Sequence, residues 1–189
     1  MRKPFRIEGY AIACLDGAIA DSRGLMPDSL KLEADQRFFE HALDGAAVVV
    51  HGRRSHEGQP NSPKRRRLIL TRRVQALAPD PDNSKARFWN PAGASLEQAC
   101  AAVGCIAGRI AVLGGPEVYS HFLEIGYDCF YLSRADRVRL RGGMPVFPRG
   151  RHDHSPEKVL SEAGLKATKP RPLGKDVSLV EWRPHGATG

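Results

Sequence analysis

The chain has 189 residues, 41% hydrophobic and 26% charged, a composition typical of one globular domain, so we treat residues 1–189 as a single domain. No stretch approaches the ~20 apolar residues of a membrane-spanning helix, and Glu8, Gly9 and Asp16 interrupt the apolar run that a signal peptide would need, so we expect a cytoplasmic protein with no membrane partner. The net charge of +8 leaves nucleic acid and phosphorylated ligands to be decided by other features.

The first part of the chain predicts a strand, a long loop, a helix and a second strand. Residues 5–15 predict the first strand, and the polar loop at 21–29 follows it. Apolar positions at helical spacing then predict an amphipathic helix that ends at Asp44-Gly45. We expect Gly45 to take a left-handed conformation there, and residues 46–50 to form a short buried strand.

The middle of the chain predicts two more strands separated by loops. Residues 51–55 resemble a strand-to-helix turn, and the glycines and prolines of 58–63 predict a loop. A buried strand is expected at 68–70. Residues 79–84 predict another loop, and 86–89 a further strand.

Two helices are predicted from their amino-terminal signals. Ser95 with Gln98 forms a capping-box pattern, which predicts a helix that ends near Gly104. An apolar strand at 109–113 then leads into Gly114-Gly115, and Pro116 opens a second helix, because proline is favoured at the first helical position.

The last apolar runs, at 129–132 and 177–182, predict strands, and we place the second at a sheet edge because a proline-rich stretch at 169–172 precedes it. Alternation of apolar strands and helices predicts an α/β fold of three layers. The central sheet should be mostly parallel, with helices on both faces and an antiparallel addition at the carboxyl-terminal edge. Ligands of such sheets bind at the strand ends.

The corner at Gly114 and Gly115 is the strongest candidate for a binding site. A strand that ends in two glycines and opens a helix lets the backbone approach a ligand closely. The unpaired N–H groups of the first helical turn and the helix dipole attract phosphate. A tight turn without a ligand is the alternative interpretation of the same residues.

Four segments, in this order, resemble the dihydrofolate reductase superfamily, which includes the pyrimidine reductase of riboflavin biosynthesis. These segments are 11–21, 48–57, 68–71 and 112–119. The resemblance extends over about residues 5–148 and implies a dihydrofolate reductase-like fold and an NADPH-dependent oxidoreductase. Asp28 stands after Met26-Pro27, where dihydrofolate reductases usually carry tryptophan, so folate is not singled out as the substrate.

The resemblance also implies which residues bind NADPH. Gly114 and Gly115, joined by a cis peptide bond, would lie against the nicotinamide and pyrophosphate, and 52–55 would bind phosphates from the start of a helix. Arg72 and Arg73 would bind the adenosine 2′-phosphate, which favours NADPH over NADH. The predicted cofactor-binding residues are Ala13, Ile19, Gly52, Arg53, Arg54, Ser55, Leu70, Thr71, Arg72, Arg73, Leu113, Gly114, Gly115, Pro116, Glu117, Val118 and Tyr119.

Asp35 is the predicted catalytic and substrate-binding carboxylate. Phe38 and Phe39 follow it at the third and fourth positions, so the carboxylate and two rings share one helix face. A partly buried carboxylate there could bind an aminopyrimidine edge and raise the proton affinity of the ring nitrogen beside the hydride acceptor. Ser133 would support Asp35 as a substrate-binding hydroxyl, and Glu33 is an alternative carboxylate.

Together these residues predict a reductase that transfers hydride from NADPH to a small pteridine-like or pyrimidine-like heterocycle, with the loop at 21–29 acting as a lid. One alternative is the phosphoribosylamino-uracil reductase step of riboflavin biosynthesis. Outside this class, the alternatives are a basic nucleic-acid-binding module built around 65–67 and a nucleotide-binding module without catalytic activity.

The remaining features predict no further ligand. No aromatic residues interleave with the arginines at 65–67, so we expect no nucleic acid partner. The residues at 152–154, His-Asp-His, lack further spaced ligands, so we expect a solvated turn and no metal. We expect the scattered cysteines to be reduced and buried. A homodimer is expected from the resemblance to the riboflavin-type reductases.

Overall fold

A ten-stranded sheet forms the centre of the computed structural model, which describes residues 3–55, 57–148 and 155–186. The strands of these residues, in chain order, are β1 (Phe5–Cys14), β2 (Ala18–Ala20), β3 (Val48–Gly52), β4 (Arg67–Leu70), β5 (Leu77–Asp80), β6 (Asn83–Trp89), β7 (Gly108–Val112), β8 (Cys129–Ala135), β9 (Met144–Pro145), β10 (Leu165–Ala167), β11 (Arg171–Gly174) and β12 (Val177–Pro184). The α-helices are α1 (Glu33–Asp44), α2 (Leu96–Ala102), α3 (Pro116–Ile125) and α4 (Pro156–Glu162).

The central strands are parallel and the outer strands are antiparallel. The order across the sheet is β10-β12-β8-β1-β7-β3-β4-β6-β5, with β11 also paired to β12, while β2 and β9 form a separate small sheet. Every neighbouring pair from β8 to β6 is parallel. The carboxyl ends of these strands therefore meet at one edge of the sheet. The predicted mostly parallel sheet is confirmed.

Helices cover both faces of the sheet. Neighbouring residues of a buried strand point to opposite faces, so each strand packs against both layers of helices. Val49 packs in a cluster with Leu43 of α1, whereas Val48 and Val50 pack in another with Phe122 of α3. Residues of α2 and α4 belong to this second cluster. The three-layer α/β fold is thus confirmed. Among the described helices, none has the length and apolarity needed to cross a bilayer.

Local signals account for several helix boundaries. The Ser95 side chain accepts a hydrogen bond from the Gln98 N–H, and the Gln98 side chain bonds back to the Ser95 N–H, so the predicted capping box opens α2. Pro116 occupies the first turn of α3, as expected. In α4, which was not predicted, the Ser155 hydroxyl accepts from the Lys158 N–H.

Gly45 follows α1 as predicted, but its expected left-handed conformation is wrong. Its φ of −87° and ψ of 0° lie in the right-handed region. A Cβ at this position would lie 2.3 Å from Nη2 of Arg109, and this guanidinium donates to the Ala42 carbonyl at the end of α1. Glycine thus leaves room for the Arg109 guanidinium at the end of α1.

The strand-to-helix turn expected at 51–55 and the loop expected at 79–84 take different structures. Within the described part of 53–66, no α-helix follows β3; a one-turn 3-10 helix, Ser62–Lys64, is present instead. Gly58, Pro60 and Pro63 explain this, because they cannot propagate a helix. The region 79–84, expected to be a loop, is largely a hairpin of β5 and β6, in which Pro79 is tolerated because β5 is an edge strand.

The last strand, β12, lies within the sheet, whereas the sequence predicted it at an edge. It pairs antiparallel with β8 on one side and with β10 and β11 on the other. The antiparallel addition itself is confirmed. The prediction of an edge was wrong because β10 and β11 are short and contain few of the apolar residues that mark buried strands.

Candidate active site

A cavity of about 430 Å³ opens at the carboxyl-terminal part of the parallel sheet. Its walls include Ile12 from β1, Leu113 directly after β7 and Ser133 from β8, and α1 covers one side. Ligands of open α/β sheets bind at this end of the strands. The cavity therefore lies where the topology favours a functional site.

One residue of the glycine pair after β7 contributes to the wall of this cavity. Gly115 lines it, and the peptide bond between Gly114 and Gly115 is cis, as the resemblance implied. Gly114 has a φ of +92°, and a Cβ on it would lie 2.5 Å from the ring of Tyr119. Both the backbone conformation and the close approach require glycine at Gly114.

The turn after β3 lies directly beside the glycine pair. The Gly52 N–H donates to the Gly114 carbonyl at 2.8 Å, and a Cβ on Gly115 would lie 3.2 Å from Oγ of Ser55. Arg54 and Ser55 line the cavity. Two loops that are far apart in the chain thus form one surface of backbone, hydroxyl and guanidinium groups.

Asp35 is the carboxylate of α1 that faces the cavity. Burial raises the pKa of Asp35 above its usual value, and a hydrogen bond from the Ser133 hydroxyl offsets only part of this effect. Glu33, the alternative carboxylate, is 78% exposed and pairs with Arg37 on the helix surface. A raised pKa keeps a carboxyl group protonated to higher pH, which is one requirement for a general acid.

Aromatic rings line the cavity beside Asp35. Phe38 and Phe39 line it, as the sequence analysis expected, together with Tyr10 and Tyr131, which that analysis missed. The rings of Tyr10 and Tyr131 are stacked with their centroids 4.9 Å apart, and the ring centroid of Phe38 lies 5.6 Å from that of Tyr131. Tyr10 and Tyr131 are neighbours only because β1 and β8 pair in this register. The resulting apolar surface suits a flat heterocycle.

Comparisons with known proteins reveal similarity of structure only. No family model matches the chain, and no curated protein matches it. A protein of Shewanella sp. PV-4 assigned to riboflavin biosynthesis superposes with a TM-score of 0.66 at 17% identity, over 95% of this chain and 99% of that one. Dihydrofolate reductase from Enterococcus faecalis, complexed with NADP(H) and RAB-propyl, superposes with a TM-score of 0.62 at 17% identity, over 94% of this chain and 95% of that one. The chain adopts the dihydrofolate reductase-like fold.

On this dihydrofolate reductase-like fold, the predicted cofactor residues fall into two groups. Those that line the cavity are Ile19, Arg54, Ser55, Leu113, Gly115 and Tyr119. Those outside its lining are Ala13, Gly52, Arg53, Leu70, Thr71, Arg72, Arg73, Gly114, Pro116, Glu117 and Val118. Ala13 is completely buried in the core, main chain included, so it presents no surface to a ligand in this structure.

The predicted 2′-phosphate residues lie at the carboxyl end of β4, beyond the cavity. Thr71 is buried, and its hydroxyl accepts a hydrogen bond from the Arg73 N–H at 3.2 Å. Arg72 and Arg73 are exposed. Arg72 and Arg73 follow β4, and the turn at 52–55 comes at the end of β3. Because β3 and β4 are parallel neighbours, both segments leave the sheet at the same end.

The loop between β2 and α1 borders the cavity. Gly24, Leu25 and Met26 line it, while Leu25 is 58% and Met26 45% exposed to solvent. The Asp21 carboxylate accepts hydrogen bonds from the Arg23 and Leu25 N–H groups and holds the loop turned back on itself. Two large apolar side chains thus stand at the cavity mouth, as the lid hypothesis requires.

A buried cluster of charges supports the turn after β3, and sequence analysis missed it. Glu57 lines the cavity, and its Oε1 lies 2.6 Å from Nη2 of Arg67 and 3.1 Å from Nη1 of Arg65. Burial opposes ionisation of Glu57, but Arg67 and the Gln59 N–H outweigh it and lower the pKa of Glu57. No local pattern in the sequence marks this carboxylate, because its partners follow several residues later in another element.

The same cluster changes the interpretation of the arginines at 65–67. Arg65 and Arg67 are 7% and 1% exposed, so their charges face inward toward Glu57, and only Arg66 is exposed. Buried guanidinium groups cannot reach the phosphates of a nucleic acid. This run therefore does not form the surface on which the nucleic-acid alternative rested.

We expect Glu57→Gln to lower the free energy of unfolding by about 3 kcal/mol, because two buried guanidinium groups lose their shared carboxylate. Since the folded-state pKa of Glu57 is lowered, its contribution is present above the unfolded pKa and is lost as the pH falls through the folded-state pKa. Chemical denaturation across an acid pH series measures both effects. The exposed Glu162→Gln is the control, and equal losses in the two variants would contradict the assignment.

Among the described residues, no group of histidine, cysteine and carboxylate side chains is arranged to hold a metal ion. The His-Asp-His segment at 152–154 lies outside the described residues. All the cysteines are buried and free, as expected.

Proposed function

We propose that this chain is an NADPH-dependent reductase that transfers hydride to a small pteridine-like or pyrimidine-like heterocycle. One observation carries the proposal: the half-buried Asp35 and the buried Ser133 share a cavity with Gly115 and with the stacked rings of Tyr10 and Tyr131. Such a cavity combines a carboxyl group for a nitrogen-rich ring, a flat apolar surface and a backbone corner accessible to a cofactor. The fold shared with two proteins, one of them complexed with NADP(H), supports the same class of chemistry.

The residues at the glycine corner fit a dinucleotide phosphate. No side chain caps the first turn of α3, but Pro116 has no N–H and the Val118 N–H donates to the Gly115 carbonyl, so within this turn the Glu117 N–H is the one left for an anion. Arg54 and Ser55 add a cation and a hydroxyl from the neighbouring turn. A larger residue than glycine at Gly115 would crowd Ser55 and narrow this approach.

The chain's own residues perform binding, orientation and proton transfer, while bound NADPH would supply the hydride. The Asp35 carboxyl would bind the amino-substituted edge of the heterocycle and hold the proton that the reduced ring takes up. The Ser133 hydroxyl would orient Asp35, and the ring of Phe38 would press the heterocycle toward the corner. Leu25 and Met26 would exclude water when the loop closes.

A uracil reductase of riboflavin biosynthesis is the second candidate. Lys31 and Arg54 both line the cavity and would suit a substrate that bears a phosphate. The similarity to a protein assigned to riboflavin biosynthesis points the same way. Rescue of a riboflavin auxotroph, compared with rescue of a folate-reductase deletion strain, separates the two candidates.

Oxidation of NADPH, followed by absorbance with a panel of dihydropteridines, pterins and aminouracils, tests the proposal directly. We expect turnover with at least one class of heterocycle, and thermal stabilisation when NADPH is added without a heterocycle. No turnover across the panel, together with no stabilisation by NADPH, would reject the reductase.

The proposal treats residues 1–189 as one cytoplasmic reductase domain that forms a homodimer, and sedimentation equilibrium tests whether it is a dimer.

Replacing Arg72 and Arg73 by alanine is expected to weaken NADPH binding about a hundredfold, because two charge-assisted hydrogen bonds to the 2′-phosphate are lost. Binding of NADH, which lacks this phosphate, should not change. Calorimetric titration of both cofactors measures the effect, with the exposed Arg137→Ala as the control. If the unaltered protein bound NADH and NADPH equally, the assignment of these arginines would be wrong.

A further inference from the structure

A second cleft, of about 600 Å³, lies at the opposite end of the sheet from the candidate active site. It is formed where the chain enters β3, β4 and β6 and where α1 and α2 end. We call it the basic cleft and define it by its lining residues, Leu43, Asp44, Ala46, Ala47, Asn61, Lys64, Arg65, Arg66, Ser84, Lys85, Arg87, Ala102 and Val103. Its lining and that of the first cavity have no residue in common.

The basic cleft carries several cations that lack a carboxylate partner. Within the described parts of the chain, Lys64, Arg66, Lys85 and Arg87 form no ion pair. Lys85 donates to the Lys64 carbonyl at 3.3 Å, and Arg87 to the carbonyls of Ser84 and Ala86. These contacts hold the Lys85 and Arg87 side chains and leave the charges of the cations uncompensated.

The acidic group of the basic cleft is already neutralised. Nη2 of Arg65 lies 2.5 Å from Oδ1 of Asp44, and this hydrogen bond holds the pKa of Asp44 below its usual value. Arg65 is buried and also binds Glu57 and Gln59, so it stays in place beneath the cleft. The pairing of Asp44 with Arg65 therefore leaves the positive field of the other cations nearly unopposed.

The shape and chemistry of the basic cleft favour a small anion. Its volume lies within the range of about 300–1,000 Å³ that is typical of small-molecule sites. No aromatic side chain lines it, whereas sites for single-stranded nucleic acid use rings for stacking. Ala46, Ala102 and Val103 add small apolar surfaces that can contact an organic group. Guanidinium and ammonium groups are the preferred partners of phosphate oxygens.

We propose that the basic cleft binds a small organic molecule that carries two or more phosphate groups, at a site separate from the candidate active site. Lys64 and Arg66 lie on one segment of chain and Lys85 and Arg87 on another, so a ligand with more than one anionic group can engage both pairs. This site does not depend on the proposed reductase activity.

Calorimetric titration of the full chain with inorganic tripolyphosphate at low ionic strength tests the proposal. We expect one saturable site whose affinity falls about tenfold in the double variant Arg66→Ala, Lys85→Ala, because two favourable charge contacts are lost. Both residues are exposed, so the variant should keep its fold, which circular dichroism checks. The double variant Lys166→Ala, Lys169→Ala removes two exposed lysines elsewhere and should bind normally.

The arginines near the candidate active site provide a second control. Binding should persist in the double variant Arg72→Ala, Arg73→Ala, since these residues lie at the other end of the sheet. Loss of binding in that variant and retention in the Arg66, Lys85 variant would assign the anion to the first site and overturn the proposal. Absence of saturable binding would overturn it too. Tighter binding of duplex DNA through Arg66 and Lys85 would replace it with a nucleic-acid surface.

Discussion

Asp35→Asn is expected to slow hydride transfer by about a hundredfold or more, the usual contribution of a positioned general acid. Asparagine keeps the size of the side chain, and its carbonyl oxygen can still accept from the Ser133 hydroxyl, but it is not an acid and cannot deliver a proton. Single-turnover rates with NADPH and the best heterocycle of the panel measure the effect. Glu33→Gln, on the exposed face of the same helix, should leave the rate unchanged. An Asp35→Asn enzyme with an undiminished rate would remove Asp35 from the mechanism.

The same substitution should stabilise the protein near neutral pH. Because burial raises the folded-state pKa of Asp35, its contribution to stability is full below the unfolded pKa and is lost as the pH rises through the folded-state pKa. Asparagine carries no charge at any pH. The midpoint of thermal unfolding of Asp35→Asn, relative to the unaltered protein, should therefore increase from acid to neutral pH. A difference that does not vary with pH would contradict burial of this carboxyl group.

Gly114→Ala is expected to lower the free energy of unfolding by about 4 kcal/mol and to abolish NADPH binding. Alanine is strained at a φ of +92°, and its Cβ would lie 2.5 Å from the ring of Tyr119. That ring cannot move aside easily, because it is buried and its hydroxyl donates to the Tyr10 carbonyl. Urea denaturation and calorimetric titration with NADPH measure the two effects.

Gly126→Ala separates backbone strain from steric overlap. Gly126 has a φ of +103°, but a Cβ there would meet no atom within 4 Å. The expected loss is therefore only the backbone strain, about 1–2 kcal/mol, with NADPH binding intact. If the two alanine variants lost the same stability, the packing of Tyr119 against Gly114 would play no part in holding the corner.

Several elements of the fold were predictable because the signals that specify them act over a few residues. The capping box at Ser95 opens α2, and Gly114, Gly115 and Pro116 mark the end of β7 and the start of α3. The substrate side was also predictable in part, since the helical spacing of Asp35 and Phe38 placed both at the cavity. Capping hydrogen bonds and helical spacing both relate residues three or four positions apart, so a short stretch of sequence contains their whole pattern.

The elements that were predicted wrongly depend on distant neighbours. Gly45 has an ordinary right-handed backbone conformation, and the Arg109 side chain from β7 occupies the space that a larger residue would fill. The composition of residues 79–84 is typical of a loop, yet Pro79 lies in an edge strand because β5 pairs with β6. In each case the deciding contact comes from another element, which the local pattern does not contain.

The sequence by itself determined the α/β alternation, the glycine corner and the helix that carries Asp35, because periodicity, capping and turn chemistry are encoded in short stretches. Only the tertiary structure decided that Tyr10 stacks on Tyr131, that Glu57 holds Arg65 and Arg67 inside, and that β12 lies within the sheet. Sheet register and burial bring together residues from distant parts of the chain, and a local pattern carries no information about which of them will meet.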